Sequence, residues 1–147
     1  MSTFIQSIHH IIFSTKYRKR TLTLSKRDKL YRYIAGIIKN KQSYLYAIGG
    51  YDDHIHILTS IHQEICLSDF IKDIKVATSL WIKKNRIFEA FEGWQDGYAS
   101  FTYSTNEIEN IKNYIKNQDE HHKIRNSKEE LIELLNELKI KYDINYI

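Results

Sequence analysis

Residues 43–61, SYLYAIGGYDDHIHILTSI, decide the fold. The run holds two stretches rich in Ile, Leu and Tyr, 43–49 and 53–61, with Gly49-Gly50 and a few polar residues between them. Two such stretches on a short link predict an antiparallel hairpin, with the glycines ending its first strand. Side chains two apart on a strand share a face. His54 and His56 therefore leave one side of the second strand, and Ile55 and Ile57 enter the other.

Reading outward, residues 4–14, FIQSIHHIIFS, predict a strand before the hairpin. Ser25-x-x-Asp28 resembles a capping box, and Leu30, Ile34, Ile37 and Ile38 follow at helical spacing, so 26–40 is expected to be an amphipathic helix. Ser68 is the expected cap of a second helix over 68–85. YASFTY at 98–103 predicts a fourth strand. Ser104-x-x-Glu107 opens a helix over 105–121. Ser127-x-x-Glu130 opens another over 127–141, with Leu131, Leu134, Leu135 and Leu138 inward. The order gives an α+β fold: a ferredoxin-like βαββαβ antiparallel sheet with two additional C-terminal helices, in a single domain spanning 1–147. One sheet face is expected to carry the first two helices and the other to stay free for a ligand or partner.

Composition narrows the classes. The 147 residues are 42% hydrophobic and 27% charged, which excludes global disorder. The single cysteine, Cys66, excludes an intramolecular disulfide and a multi-cysteine zinc site. No apolar run approaches the roughly 18 residues of a membrane span, and no signal-peptide pattern is present, so a cytoplasmic protein is expected. Residues 14–41 hold ten Lys/Arg against Asp28 alone, a local +9 in a chain of net +4, which leaves −5 elsewhere. Such a patch attracts phosphate backbones, although a solvated helix face would show the same charge.

Two imidazoles on one strand face can converge on a metal, and Asp52-Asp53 beside them can orient the rings. Many His-x-His pairs are ordinary strand histidines. Tyr114 and Gln118 lie one helical turn apart, with Ile111 and His121 near the same stripe. A Gln carbonyl is a hard ligand suited to Mg²⁺ or Mn²⁺, and a phenol one turn away can reach a phosphate held there. The alternative is that Tyr114 packs and Gln118 faces water. His9 and His10 point to opposite faces of the first strand. Trp94 lies in a Gly-flanked loop and either packs or stacks on a base.

Five blocks, in this order, carry a resemblance: HIIFSTKYR (10–18), GGYDDHIHIL (49–58), SDFIKDIK (68–75), WQDGY (94–98) and YIKNQDEHH (114–122). Together they resemble the single-tyrosine HUH transposases of the insertion-sequence-200/605 family, including relatives associated with repetitive extragenic palindromes (REP). Ala99-Ser100-Phe101 departs from the Gly-Ala-Phe often found there. The resemblance implies His54, His56 and Gln118 as ligands of Mg²⁺ or Mn²⁺, and Tyr114 as the nucleophile that forms a 5′-phosphotyrosine. It implies single-stranded DNA hairpins as substrate and a homodimer, with no small-molecule cofactor and no membrane partner. The basic loop Lys16, Tyr17, Arg18, Lys19 and Arg20, with Lys72 and Lys75, then becomes the expected DNA contact. Two other readings stay open: a non-catalytic single-stranded nucleic-acid-binding module, and a metal-dependent nuclease that activates water.

Overall fold

Four strands, β1 (His9–Ser14), β2 (Tyr44–Gly50), β3 (His54–Ser60) and β4 (Ala99–Thr102), pair antiparallel in the order β2-β3-β1-β4. This is the ferredoxin-like arrangement expected from the sequence. The structure is a computed structural model that describes residues 1–147. Helices α1 (Leu24–Asn40) and α2 (Leu67–Asn85) cover one sheet face. There Ile11, Phe13, Ile55 and Ile57 meet Leu30, Ile34, Ile38, Phe70, Ile71, Ile74 and Ile82 in the main core.

The other face is not free. Helix α3 (Ile108–Lys116) seats Ile115 against Ile8, Ala47 and Leu58. Helix α5 (Ser127–Glu137) seats Leu135 against Ile12 and Phe101. Ile12 and Leu58 are in phase with the two histidines, so this face carries apolar area that must also leave water. The chain's own C-terminal helices do that, which corrects the expectation of an open face.

Several boundaries move for identifiable reasons. β1 begins at His9, not residue 4, and Phe4 and Ile5 are exposed. The helix expected over 105–121 is broken. A 3₁₀ turn at Thr105–Glu107 precedes α3, and after Asn117 (ψ 22°) a short α4 (Gln118–His121) continues. The last helix stops at Glu137 rather than 141. Lys139 adopts φ 55° there, and the Ile140 N–H closes on the Leu135 carbonyl, as in left-handed C-terminal caps. Thr23 and Cys66 precede α1 and α2, so Ser25 and Ser68 lie inside the first turns and cap neither.

β2 ends on Gly50, one residue beyond the expected 49; both glycines pair within it, opposite His56 and Ile55, and the turn falls on Tyr51–Asp53. A register shift between Leu45 and Ala47 sets Ala47 opposite Leu58 and Gly49 opposite His56. Directly opposed residues share a face, so the bulge turns two small residues toward α3. The closeness is used: a Cβ at Gly49 would sit 2.6 Å from the Ile115 carbonyl oxygen. Gly49→Ala is expected to destabilise by about 1–3 kcal/mol and to lift α3, with Tyr114, from the sheet. Gly36→Ala in α1 meets nothing within 4 Å and should stabilise by about 0.5–1 kcal/mol. Thermal melts of the two variants check both. An unchanged melt for Gly49→Ala would mean that α3 does not press on β2.

Candidate functional site

His54 and His56 leave β3 on the α3/α5 side and are both buried. Each has its outer ring nitrogen engaged. His54 Nδ1 donates to Asp53 Oδ1 at 2.7 Å, and Asp53 Oδ2 accepts from the Ser127 hydroxyl at 2.8 Å. His56 Nδ1 is 2.7 Å from His10 Nε2. This is the arrangement by which metal-binding histidines are usually held, with Nε2 turned inward. Asp53 thus takes the orienting role the sequence suggested. Asp52 instead lies 3.7 Å from Arg20.

Gln118 is buried, not facing water. Its Nε2 donates to the Tyr114 carbonyl one turn back at 3.3 Å, which directs Oε1 to His54 Nε2 at 3.0 Å. His122 Nε2 lies 2.9 Å from the same Oε1, and its Nδ1 donates to the Arg125 carbonyl at 2.9 Å. The Tyr114 ring is half-buried, edge-on to His56 with centroids 5.8 Å apart and 4.7 Å from that of His121. The structure therefore brings His54, His56, Tyr114 and Gln118 into one cluster, all from a single chain.

It also brings in Glu130, which the sequence pattern places in a helix cap. Glu130 is buried, with Oε1 at 3.0 Å from His56 Nε2, 3.4 Å from His54 Nε2 and 3.5 Å from His122 Nε2. Its Oε2 accepts from the Tyr114 hydroxyl at 2.5 Å. The capping box expected at Ser127-x-x-Glu130 lies one residue earlier: Asn126 accepts from the Glu129 N–H, and its amide donates to the Glu129 carboxylate. That shift frees Ser127 for Asp53 and Glu130 for the cluster. The available signal was phase, because Glu130 falls on the same helical stripe as Leu131, Leu134 and Leu135.

Charge is strained here. Burial alone would lower His54, but hydrogen bonds to Asp53 and Glu130 outweigh it and raise its pKa to about 9. Burial drives His56 the other way, to about 4. Burial would raise the Glu130 carboxyl, yet the surrounding imidazoles hold it well below the usual range. Tyr114 is pushed far above an ordinary phenol by burial and by the Glu130 charge. His54, His122 and Glu130 offer donor atoms all within 4.8 Å of one another, a spacing that suits a cation.

The basic loop divides. Lys16 and the exposed Tyr17 line a groove of about 940 Å³ with Lys72, Lys75 and Trp94–Tyr98. Lys75 is tied to the Gln95 and Gly97 carbonyls at 2.9 and 2.5 Å. Lys19 pairs with Glu92 at 2.9 Å. Arg18 folds inward, donating to the Ser14 and Ser127 hydroxyls at 2.9 and 3.0 Å. Trp94 packs: its N–H donates to Thr78 at 2.9 Å and its ring stands edge-on to Phe13. A second cavity, about 450 Å³, is lined by Arg18, His54, Ser127 and Gln95–Tyr98, so one loop walls both cavities.

Comparison with known proteins agrees with this architecture. The family described as transposase IS200 like matches residues 3–118, well over half of the chain. The ISDra2 transposase TnpA of Deinococcus radiodurans is 26% identical over 115 residues, covering 75% of this chain and 82% of that protein. A crystal structure of a Deinococcus radiodurans R1 chain described as a transposase superposes with TM-score 0.59 at 26% identity, covering 80% of this chain and 95% of that one. A REP-associated tyrosine transposase bound to a REP hairpin superposes with TM-score 0.62 at 14% identity, covering 83% and 74%. No helix is long and apolar enough to cross a membrane.

Proposed function

The chain belongs to the IS200-like transposases, and from that membership and the geometry of its buried cluster we propose that it cleaves and rejoins single-stranded DNA at hairpin-bearing ends through a covalent 5′-phosphotyrosine. The observation that carries the proposal is that the Tyr114 hydroxyl, the His54 and His56 imidazoles and the Gln118 carbonyl occupy one cluster on one chain.

The donor set suits a hard divalent cation, Mg²⁺ or Mn²⁺. Two imidazoles present Nε2 because Nδ1 is engaged, and an amide oxygen is aimed at one of them. When bound, such a cation polarises the scissile phosphate and offsets charge that develops on it. Tyr114 Oη forms a bond to phosphorus as the bond from phosphorus to the 3′ oxygen breaks. The phenol gives up its proton as that bond forms, and the leaving oxygen takes one up to become a 3′-hydroxyl, so the exchange balances. A 3′-hydroxyl attacking the phosphotyrosine reverses the exchange, so rejoining needs no nucleotide cofactor.

Hairpin DNA is the proposed ligand of the Lys16–Tyr17–Lys72 groove, supported by the REP hairpin held by the structural neighbour. A homodimer is proposed as the form that holds two DNA ends. The test is incubation with a single-stranded hairpin oligonucleotide and Mn²⁺, followed by denaturing electrophoresis. A covalent adduct supports the proposal. Cutting without an adduct favours activated water, and a salt-sensitive shift alone favours a binding module.

The groove makes its own prediction. Lys16→Ala with Lys72→Ala should weaken hairpin binding and flatten the slope of log affinity against log salt by about one for each phosphate no longer neutralised. Fluorescence anisotropy between 50 and 200 mM salt, roughly the range over which such ion pairs act, reads this directly. An unchanged slope would place the DNA elsewhere.

A further inference from the structure

Four atoms able to ligate a metal converge beside His54. His54 Nδ1 and His122 Nδ1 are committed as donors, to a carboxylate and to a backbone carbonyl. A cation binds the unprotonated rings, displacing any proton from Nε2, and each Nε2 then offers it a lone pair. Those lone pairs face Gln118 Oε1 at 3.0 and 2.9 Å and Glu130 Oε1 at 3.4 and 3.5 Å, and neither oxygen can donate. Two nitrogens and two oxygens so placed can close around one positive centre. Atoms bonded to one cation at about 2.1 Å lie about 3.0 Å apart at right angles and about 3.4 Å apart in a tetrahedron. The observed separations, 2.9 to 3.5 Å, bracket those values closely.

We propose that Glu130 Oε1 is itself a protein ligand of the cation, and the only anionic one. The inference rests on the reading above of His54, His56 and Gln118 as a metal site, and it extends that site beyond the family match, which ends at Gln118. Glu130 arrives from α5, held in register by the Asn126 cap and by Leu131 and Leu135 against the sheet. Its negative charge suits a hard divalent ion, which two imidazoles and an amide would hold weakly. Its second oxygen holds the Tyr114 hydroxyl at 2.5 Å. One carboxylate thereby ties the nucleophile to the cation, and α5 becomes part of the reaction centre rather than a cover over the sheet.

Mn²⁺ alone is the probe, titrated without DNA into the full chain, Glu130→Gln and His54→Ala, by calorimetry and by the Mn²⁺-dependent rise in melting temperature. Changing a group that only orients a ligand typically costs 10–100-fold in metal affinity, so loss of a direct anionic ligand should weaken Mn²⁺ by about 100-fold or more. Glu130→Gln should also lose most of the Mn²⁺-dependent rise in melting temperature. A residue that only supports the fold would lower the melting temperature without metal and leave that rise intact. If His54→Ala loses Mn²⁺ while Glu130→Gln keeps it within twofold, Glu130 is not a ligand and the proposed function stands. If the unaltered chain does not bind Mn²⁺, both are overturned.

Discussion

Tyr114→Phe should abolish the covalent protein–DNA adduct, with at least a 10⁴-fold loss of strand cleavage, the scale seen when a nucleophile is removed from an interdependent catalytic set. The substitution is a clean one. The ring keeps its packing against His56 and His121, so α3 stays seated on β2 and only the hydroxyl is removed. The missing hydrogen bond to Glu130 is one to a charged acceptor, and such bonds contribute about 1.5–3 kcal/mol. Glu130 retains His56 at 3.0 Å, so the stability loss should fall at or below the low end. Hairpin affinity should stay within about twofold, because the basic groove is lined by other residues. Chelation of the metal should remove the adduct from the unaltered protein to the same extent. A persistent adduct in Tyr114→Phe would mean that another of the eleven tyrosines is the nucleophile and that the cluster has a different role.

The parts of this site that were legible in sequence are those set by short, rigid periods. A strand repeats every two residues, so His54-Ile55-His56 could be divided between faces without knowing what covered either. The helical pair Tyr114 and Gln118 was legible for the same reason, one turn apart, and the break at Asn117 did not separate them: the Gln118 amide still reaches the Tyr114 carbonyl. Two things were not legible. Gly49 looks like a strand end because glycine weakens strands, whereas here its missing side chain admits the α3 backbone. Glu130 looks like a cap because Ser-x-x-Glu is a capping pattern, and an Asn one residue earlier offers the same chemistry. Local pattern could not choose between registers one residue apart. Packing chose: the Asn126 register points Leu135 at Phe101 and Glu130 at the histidines. The basic loop was legible as charge but not as geometry, since nothing in its sequence separates the inward Arg18 from the exposed Tyr17.

His56→Ala should reduce cleavage at least 10³-fold by removing a metal ligand, and it should also cost stability, so the two effects must be separated. His56 is fully buried and bridges His10 on one side and Glu130 on the other. Burial keeps His56 neutral, so the loss is that of a buried hydrogen-bond partner, about 1–3 kcal/mol and more where, as with Glu130, the group left behind is charged. Glu130 keeps the Tyr114 hydroxyl at 2.5 Å, which argues for the lower end. The double variant His56→Ala with Glu130→Gln removes the stranded charge. It should therefore be more stable than the sum of the two single effects implies, a coupling of about 1 kcal/mol or more in denaturant titrations. Cleavage should not recover in it, because neither change restores a ligand. Hairpin binding at low temperature, where every variant is folded, should match the unaltered chain within about threefold. If cleavage returned along with stability, the histidine would be serving the fold, and the metal centre would have to be sought elsewhere in the chain.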